Sequence, residues 1–242
     1  MSYPMVVTQE DILRQIKLSG KIPETVEQII QRKIIKNRAD EVGIKVEVAE
    51  LQQTADQMRL VNQLTTTDET WRWLKKHGLS LEDFEEIIYI TLLTAKLGNH
   101  LFAAEVEPYF YNHQVDYLQV IMYEVILDDE DLAWELFYGV KEGEKSFYDV
   151  AHQYIQDVEL RRQCGYRGVM GRQNLHPDIS AAVFAAEPPQ LLKPIVTAKG
   201  IHLIFVEEMI RPRLDEQLSY QIIGHLFAEW LKQQVEQTDF QI

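Results

Sequence analysis

A threonine and a histidine flank a glycine turn near the carboxyl end of the chain. Thr197 lies before the turn, and His202 lies in the strand after it, which reads Ile-His-Leu-Ile-Phe-Val over 201–206. A strand that is apolar almost throughout is usually buried, so His202 points into a protected place and needs a hydrogen-bond partner there. Thr197 is close enough across the turn to be that partner. The pattern offers hydrogen-bonding chemistry in a sheltered site, or simply a core histidine bonded to Thr197 or to a backbone carbonyl.

Other reactive residue types show no pattern typical of a metal site or a redox site. The seven histidines are scattered without metal-ligand spacing, so we predict no metal site. The acidic run Asp128–Asp131 lacks the spacing and the glycine of an EF-hand and is expected at a helix N-terminus. Cys164 is the only cysteine, so no internal disulfide can form and the fold does not depend on an oxidising compartment.

Composition limits the class of protein. The 242 residues suggest one or two domains, and the formal net charge of −14 makes nucleic acid and anionic membrane surfaces poor partners. The first residues lack the basic and apolar regions of a secretory signal. No apolar run approaches the roughly 20 residues that cross a bilayer. We therefore expect a protein with no membrane insertion and a cytoplasmic location.

The elements that must position the polar pair follow from the periodicity of apolar residues. Residues 1–112 predict helices, with Ser80 opening a capping box ahead of a long helix. From Tyr117 the pattern changes, and the order strand, two helices, strand, helix, two strands predicts a mixed sheet covered by helices. A last amphipathic helix is predicted over 214–237. The tryptophans of the helical regions are most often core residues, and the alternative is that one of the three lines a peptide groove; they are Trp71, Trp73 and Trp230.

Several motifs follow one another in the second half of the chain. They are the strand Met122–Leu127, the helix Phe147–Tyr154, the glycine turn Cys164–Gly168, the segment Ile179–Phe184, and the closing pair Pro194–Thr197 and Gly200–Val206. In residue type and in order, over roughly 90 residues, they resemble a parvulin-type peptidyl-prolyl isomerase. The flanking helices resemble the layout of SurA-type chaperone-isomerases, in which the last helix returns to the N-terminal helices.

This resemblance implies an α+β fold with two domains. Residues 1–112 together with 214–242 are expected to form a helical, SurA-like domain. Residues 113–213 are expected to form an inserted parvulin domain, with a four-stranded mixed sheet flanked by helices. The resemblance further implies a peptidyl-prolyl isomerase that acts on X–Pro bonds of unfolded or exported polypeptides without a nucleophile or cofactor. The alternative is a catalytically weak or inactive peptide-binding chaperone or adaptor. The motifs predict neither the substrate nor the oligomeric state.

The resemblance also assigns the residues of a site. The catalytic residues would be Glu124, Asp157, Thr197 and His202, and a proline pocket would be lined by Leu175, Ile179 and Phe184. Position 124 departs from the family, which usually has a histidine there, and this departure predicts a weaker activity. Glu124 is equally compatible with an outward-facing strand position, and Asp157 with the cap of a loop. If both carboxylates face His202, one of them is expected to hold a proton near neutral pH, because two close carboxylates rarely both ionise.

Overall fold

The computed structural model describes residues 6–240. The chain forms two compact units. The first unit runs to Val106 and resumes at Glu216, and the second unit is Glu107–Asp215. The second unit is therefore inserted in the sequence of the first.

The predicted domains differ from these units by a few residues at each boundary. The prediction divided the chain into 1–112 with 214–242 and 113–213. The difference at the first boundary arises from helix α6 (Val106–Asn112), which has the pattern of the preceding helices but lies almost entirely in the second unit.

The first unit is helical throughout its described residues. Its helices are α1 (Gln9–Leu18), α2 (Ile22–Glu41), α3 (Val48–Val61), α4 (Thr67–His77), α5 (Leu81–Phe102) and the C-terminal α11 (Glu216–Glu236). Capping boxes at Thr8, Thr66 and Ser80 begin α1, α4 and α5, since each side chain accepts a hydrogen bond from a backbone N–H of the first turn. The capping side chains therefore fix the residues at which these three helices begin.

Helix α5 is the central helix of the first unit. It packs against α2, α3 and α11, and its Leu93 and Leu97 are fully buried. The segment Leu81–Asn112 is also the one stretch of the described chain with the length and the mean hydropathy, 1.3, of a membrane-spanning helix. Lys96 interrupts the apolar residues, so the segment meets this criterion by length and average composition and is not the uninterrupted apolar run that the sequence analysis excluded. Within its unit α5 buries Phe84, Ile88, Leu93 and Leu97.

The second unit combines a sheet with short helices. Besides α6, its helices are α7 (Glu130–Lys141), α8 (Phe147–Tyr154), α9 (Val158–Arg162) and α10 (Pro177–Val183). Its strands are β1 (Gln119–Leu127), β2 (Tyr166–Gly171), β3 (Gln190–Leu191), β4 (Ile195–Thr197) and β5 (Gly200–Ile210). The side chain of Asp129 accepts from the backbone N–H of Leu132 and caps α7, so the acidic run lies at a helix N-terminus as predicted.

The sheet is antiparallel and has five strands. The order is β2–β1–β5–β3, and β4 also pairs with β5. The α+β class is confirmed, but the sheet is not the predicted four-stranded mixed one. The chain turns back after α9, so β2 runs antiparallel to β1. The last strands before β5 are two short segments rather than one, and both pair with β5.

Each face of the sheet has its own apolar core, because side chains alternate along a strand. Val125 of β1 and Leu203 of β5 face the core that includes residues of α7 and α8. Met122 of β1 and Ile204 of β5 face the core that includes residues of α10. The two central strands are therefore buried on both sides, which explains why the sequence of β5 is apolar almost throughout.

One extra residue in β5 changes which positions face α10. Met122 pairs with Val206, whereas the residue before Met122 pairs with Glu208, so Glu207 has no counterpart on β1. Such a bulge shifts the alternation of side chains by one position. As a result, Val206 before the bulge and Met209 after it both contact the α10 core.

Candidate active site

Glu124 and His202 lie on the α10 face of the sheet. Glu124 follows Met122 by two positions in β1, and His202 precedes Ile204 by two positions in β5, so alternation points all four side chains to that face. Both polar residues are buried, with exposed fractions of 7% for Glu124 and 3% for His202. Polar side chains that are buried this deeply need partners.

Each ring nitrogen of His202 has a partner. Nδ1 lies 2.7 Å from Oε1 of Glu124, and Nε2 lies 2.7 Å from Oγ1 of Thr197. Strand β4 positions the threonine, because Thr197 pairs with Gly200 across the tight turn into β5. The backbone N–H of Lys199, within that turn, donates to Oγ1 of Thr197 at 3.1 Å. The hydrogen bond between Thr197 and His202 is the one expected from the sequence.

Arg167 brings a cation to the second oxygen of Glu124. Its Nε lies 3.2 Å from Oε2, and the residue belongs to β2, the strand next to β1. The sequence analysis did not place Arg167 in the site, because β2 and β1 become neighbours only in the folded sheet. The glutamate at position 124, where the family usually has a histidine, was the feature of the sequence that could have indicated a nearby cation. A carboxylate in a buried strand calls for a nearby cation, and Arg167 is the basic residue of the Cys164–Gly168 turn.

The hydrogen bonds of this cluster match an ionised Glu124 and a neutral His202. An ionised carboxylate only accepts hydrogen bonds, and the groups that face it are N–H donors of Arg167 and His202. Nε2 of the imidazole is then an acceptor and takes the hydroxyl hydrogen of Thr197. The oxygen of that hydroxyl accepts from Lys199. Each of these atoms then has a partner of the right kind, so this tautomer satisfies every contact of the cluster.

A glycine backbone supports the strand that carries Glu124. The backbone N–H of Glu124 donates to the carbonyl oxygen of Gly165 at 2.8 Å, and Gly165 has a φ of +81°. A Cβ atom at Gly165 would lie only 2.5 Å from the carbonyl oxygen of Glu124. The left-handed φ and this close approach together require glycine. The position of Glu124 therefore depends on Gly165.

Asp157 is not part of the hydrogen-bonded cluster. Its side chain is exposed, and its carboxylate accepts from the backbone N–H of Leu160 at 2.7 Å, which caps α9. This geometry supports the alternative that Asp157 caps a helix, a common role for aspartate. The hypothesis that Asp157 and Glu124 share a proton is wrong on this geometry, because the groups bonded to Glu124 are a guanidinium and an imidazole.

The three residues expected to line a proline pocket belong to one apolar cluster. Ile179 is buried, and Leu175 and Phe184 are half-buried against the α10 core. The guanidinium carbon of Arg172 lies 4.5 Å from the centroid of the Phe184 ring, so a cation covers part of that ring. This apolar cluster lies on the same face of the sheet as His202. The second unit therefore carries a polar cluster and an apolar cluster on one side of its sheet.

Residues 128–208 match the family model for the rotamase, or PPIC-type PPIase, domain. They form a parvulin-type peptidyl-prolyl isomerase domain. The matched range includes Thr197 and His202 and begins shortly after Glu124. The residues of this parvulin domain thus include the two that the sequence analysis first singled out.

Two relatives named foldase protein PrsA extend the similarity beyond the parvulin domain. The protein of Halalkalibacterium halodurans is 26% identical over 219 residues, which cover 87% of this chain and 64% of that protein. The protein of Oceanobacillus iheyensis is 22% identical over 161 residues, which cover 66% of this chain and 53% of that protein. The chain therefore spans less than two thirds of the length of these relatives.

The fold is shared along almost the whole chain with a solved structure. The peptidylprolyl isomerase PrsA from Bacillus cereus is 17% identical, with a TM-score of 0.52, and the match covers 98% of this chain and 90% of that one. At this identity the likeness concerns the fold alone. It agrees with the expectation that a helical region surrounds the parvulin domain in the sequence.

Proposed function

We propose that this protein is a peptidyl-prolyl cis-trans isomerase that acts on X–Pro bonds of unfolded polypeptides. The observation that carries the proposal is the position of the Thr197–His202–Glu124 cluster, which lies on the sheet face that also holds the apolar residues Ile179 and Phe184. The parvulin domain and the similarity to proteins named foldase support the same reaction.

The reaction needs no covalent chemistry. Rotation about an X–Pro bond crosses a barrier of about 18–20 kcal/mol set by amide resonance, and unaided it takes on the order of tens to hundreds of seconds. When the amide twists, its nitrogen regains a lone pair and its carbonyl oxygen loses negative charge. A protein lowers the barrier if it grips the proline ring and favours this distribution of charge over that of the planar amide.

Both requirements have candidates among the described residues. In this proposal the half-buried Leu175 and Phe184 hold the proline ring, and His202 with Thr197 sets the polarity beside it. Glu124 anchors the far nitrogen of the imidazole, so the ring is fixed in orientation. A glutamate at position 124 preserves a hydrogen-bond partner for that nitrogen, and the departure from the family histidine is therefore compatible with an active site. The prediction of a weaker activity awaits measurement.

The test is the cis-to-trans relaxation of a short proline peptide, with wild type, His202→Ala and His152→Ala. His152 is an exposed histidine on α8 in the same unit, which makes it a matched control. We expect wild type and His152→Ala to accelerate the relaxation and His202→Ala to lose about tenfold or more of that acceleration. A folded wild-type protein that gives the uncatalysed rate contradicts the proposal.

A second candidate function, that of a peptide-binding chaperone, is favoured by a cleft in the helical unit. The cleft has a volume of about 470 Å3. Its apolar lining includes Val48, Leu51, Ala55, Trp71, Phe84 and Ile88. Trp71 has an exposed fraction of 53%, so a large aromatic surface is available to a bound apolar segment. This is the groove position that the sequence analysis gave as the alternative for a tryptophan.

Suppression of the aggregation of a chemically unfolded protein tests the chaperone function. Trp71→Ser is expected to weaken the suppression and to leave the proline-peptide rate unchanged. Leu60→Ser is the control, because Leu60 is an exposed residue of the same unit that does not line the cleft. If both activities are present, the helical unit holds the chain and raises the effective concentration of X–Pro bonds at the parvulin domain.

The cellular location and the partners are also proposals. We keep unfolded or proline-containing polypeptides as the partners. Nucleic acid stays an unexpected partner because of the acidic net charge, and the absence of membrane insertion stays a prediction from the lack of a long uninterrupted apolar run. The cytoplasmic location stays a prediction, and fractionation of cells with an antibody against the chain tests it.

A further inference from the structure

We propose that Arg167 is a positioning residue of this site, which acts through Glu124 to hold His202 in a single tautomer. The inference rests on the proposed isomerase function for its consequence on rate, but the state of the imidazole can be measured without any substrate. Arg167 lies in the Cys164–Gly168 turn, but the family resemblance gives it no role in the site. It follows from the contacts of Glu124 in the folded protein.

The two oxygens of Glu124 have separate partners. Oε1 lies 2.7 Å from Nδ1 of His202, and Oε2 lies 3.2 Å from Nε of Arg167. The side chain of Glu124 is only 8% exposed, whereas that of Arg167 is 41% exposed. The partly exposed guanidinium of Arg167 therefore pairs with a carboxylate, that of Glu124, which is nearly buried.

This ion pair differs from an ordinary surface pair. Exposed pairs contribute little, because water already solvates both charges. Removal of one partner from a buried charge is more costly, since the remaining charge is left without compensation. Glu124 is the buried partner here, so the loss of Arg167 affects a carboxylate that water reaches poorly.

The charge of Arg167 decides the direction of the hydrogen bonds in the cluster. An arginine is always charged, and its charge beside Oε2 favours the ionised form of Glu124 over the neutral acid. An ionised Glu124 accepts the hydrogen on Nδ1 of His202 with its other oxygen. Nε2 is left as an acceptor for the hydroxyl of Thr197.

Without the guanidinium, the opposite arrangement becomes available. A Glu124 that takes up a proton from solvent would donate it from Oε1 to Nδ1, and the hydrogen of the imidazole would move from Nδ1 to Nε2. Thr197 would then accept from the ring instead of donating to it. The hydroxyl hydrogen would be directed elsewhere, and the polarity next to the apolar cluster would be reversed. The two arrangements differ by one proton, and the positive charge of Arg167 favours the one in which Glu124 is ionised.

The experiment measures the ¹⁵N chemical shifts of the His202 ring nitrogens in wild type, Arg167→Ala, Arg167→Lys and Arg162→Ala. The His202→Ala variant assigns the signals. Arg162 is the matched control, because it is exposed and pairs with an exposed glutamate, Glu159, at 2.6 Å in the same unit. In wild type and Arg162→Ala we expect a protonated Nδ1 and an unprotonated Nε2. In Arg167→Ala we expect both signals to move toward the other tautomer, and in Arg167→Lys we expect them to return toward the wild-type values.

The same variants are then measured with the proline peptide. We expect kcat/KM to fall about tenfold or more in Arg167→Ala and to be partly restored in Arg167→Lys. In a Glu124→Gln background, Arg167→Ala should have little further effect, because its action passes through the carboxylate. Unchanged ring shifts in Arg167→Ala, or an Nε2-protonated ring in wild type, overturn the inference. If wild type has the expected ring shifts but no isomerase activity, the positioning holds and the proposed function fails.

Discussion

Glu124 and His202 contact each other diagonally across two neighbouring strands. The residue directly opposite Glu124 is Ile204, yet Oε1 of Glu124 lies 2.7 Å from Nδ1 of His202, two positions away on the same face. Diagonal pairs in an antiparallel sheet are within reach only when the side chains are long. A glutamate and a histidine meet this condition, and a shorter aspartate at position 124 would be expected to leave a gap.

Replacement of Glu124 tests the structural importance of this contact. Glu124→Ala leaves the buried Nδ1–H of His202 without an acceptor, and we expect a loss of about 1–3 kcal/mol in the free energy of unfolding. Glu124→Gln keeps an acceptor and should cost less. Equilibrium unfolding in urea measures both, with Glu208→Ala, an exposed change on β5, as the control. If Glu124→Gln and Glu124→His both leave the proline-peptide rate unchanged, Glu124 has no role in catalysis.

Replacement of Thr197 tests the other side of the imidazole. Thr197→Val has nearly the same shape but removes the hydroxyl that bonds to Nε2 of His202 and to the backbone of Lys199. We expect the proline-peptide kcat/KM to fall about tenfold or more, because two polar groups lose a partner. Thr197→Ser keeps the hydroxyl and should keep most of the activity. Equal activities of the valine and serine variants would show that the hydroxyl is dispensable.

Two glycines that share a left-handed φ separate backbone strain from crowding. Gly165 and Gly168 have φ values of +81° and +77°, but only at Gly165 would a Cβ meet other atoms, at 2.5 Å from the carbonyl oxygen of Glu124. Each alanine variant should lose about 1–2 kcal/mol from strain. Gly165→Ala should lose a further 1–3 kcal/mol or so from overpacking. Urea unfolding compares them, and a Gly168→Ala variant that is the less stable of the two contradicts this account.

The capping box of α4 predicts a dependence of stability on pH. Hydrogen bonds from the hydroxyl of Thr65 and from Thr66 lower the pKa of Glu69 from about 4.5 to about 2. A carboxyl with a lowered pKa in the folded state stabilises the fold above its unfolded pKa, and this stabilisation is lost as the pH falls from about 4.5 to about 2. Glu69→Gln should therefore show a smaller decrease in Tm over this range than wild type.

Thermal unfolding between pH 7 and pH 2 gives the comparison. Glu82→Gln serves as the control, since Glu82 is an exposed glutamate in the first turn of α5. Its decrease in Tm should follow that of wild type. Parallel curves for wild type and Glu69→Gln would mean that the cap of α4 does not contribute to acid unfolding.

Local rules account for the parts of the fold that the sequence predicted correctly. Ser80 begins α5 and α8 spans Phe147–Tyr154 as expected, because capping and helical periodicity depend on neighbouring residues only. The burial of His202 and its bond to Thr197 were also within reach, since a tight turn brings the two together. These contacts join residues that are close in sequence.

Long-range pairing accounts for what the sequence did not predict. Arg167 reaches Glu124 only because β2 lies beside β1, and no local pattern carries that information. Asp157 occupies a position that fits both a site and a cap, and a single sequence cannot decide between them. In the structure the backbone N–H of Leu160 donates a hydrogen bond to the carboxylate of Asp157. The direction of β2 was likewise open, because the connection before it is long enough for either sense.

Glu207, which has no register partner on β1, shifts the alternation of side chains between the two ends of β5. His202 and Met209 are an odd number of positions apart, and in a regular strand they would point in opposite directions. Here both point toward α10. Deletion of Glu207 would restore regular alternation, so either Met209 or His202, but not both, would point toward α10. A change at this exposed position is therefore expected to disturb the site without altering any of its side chains.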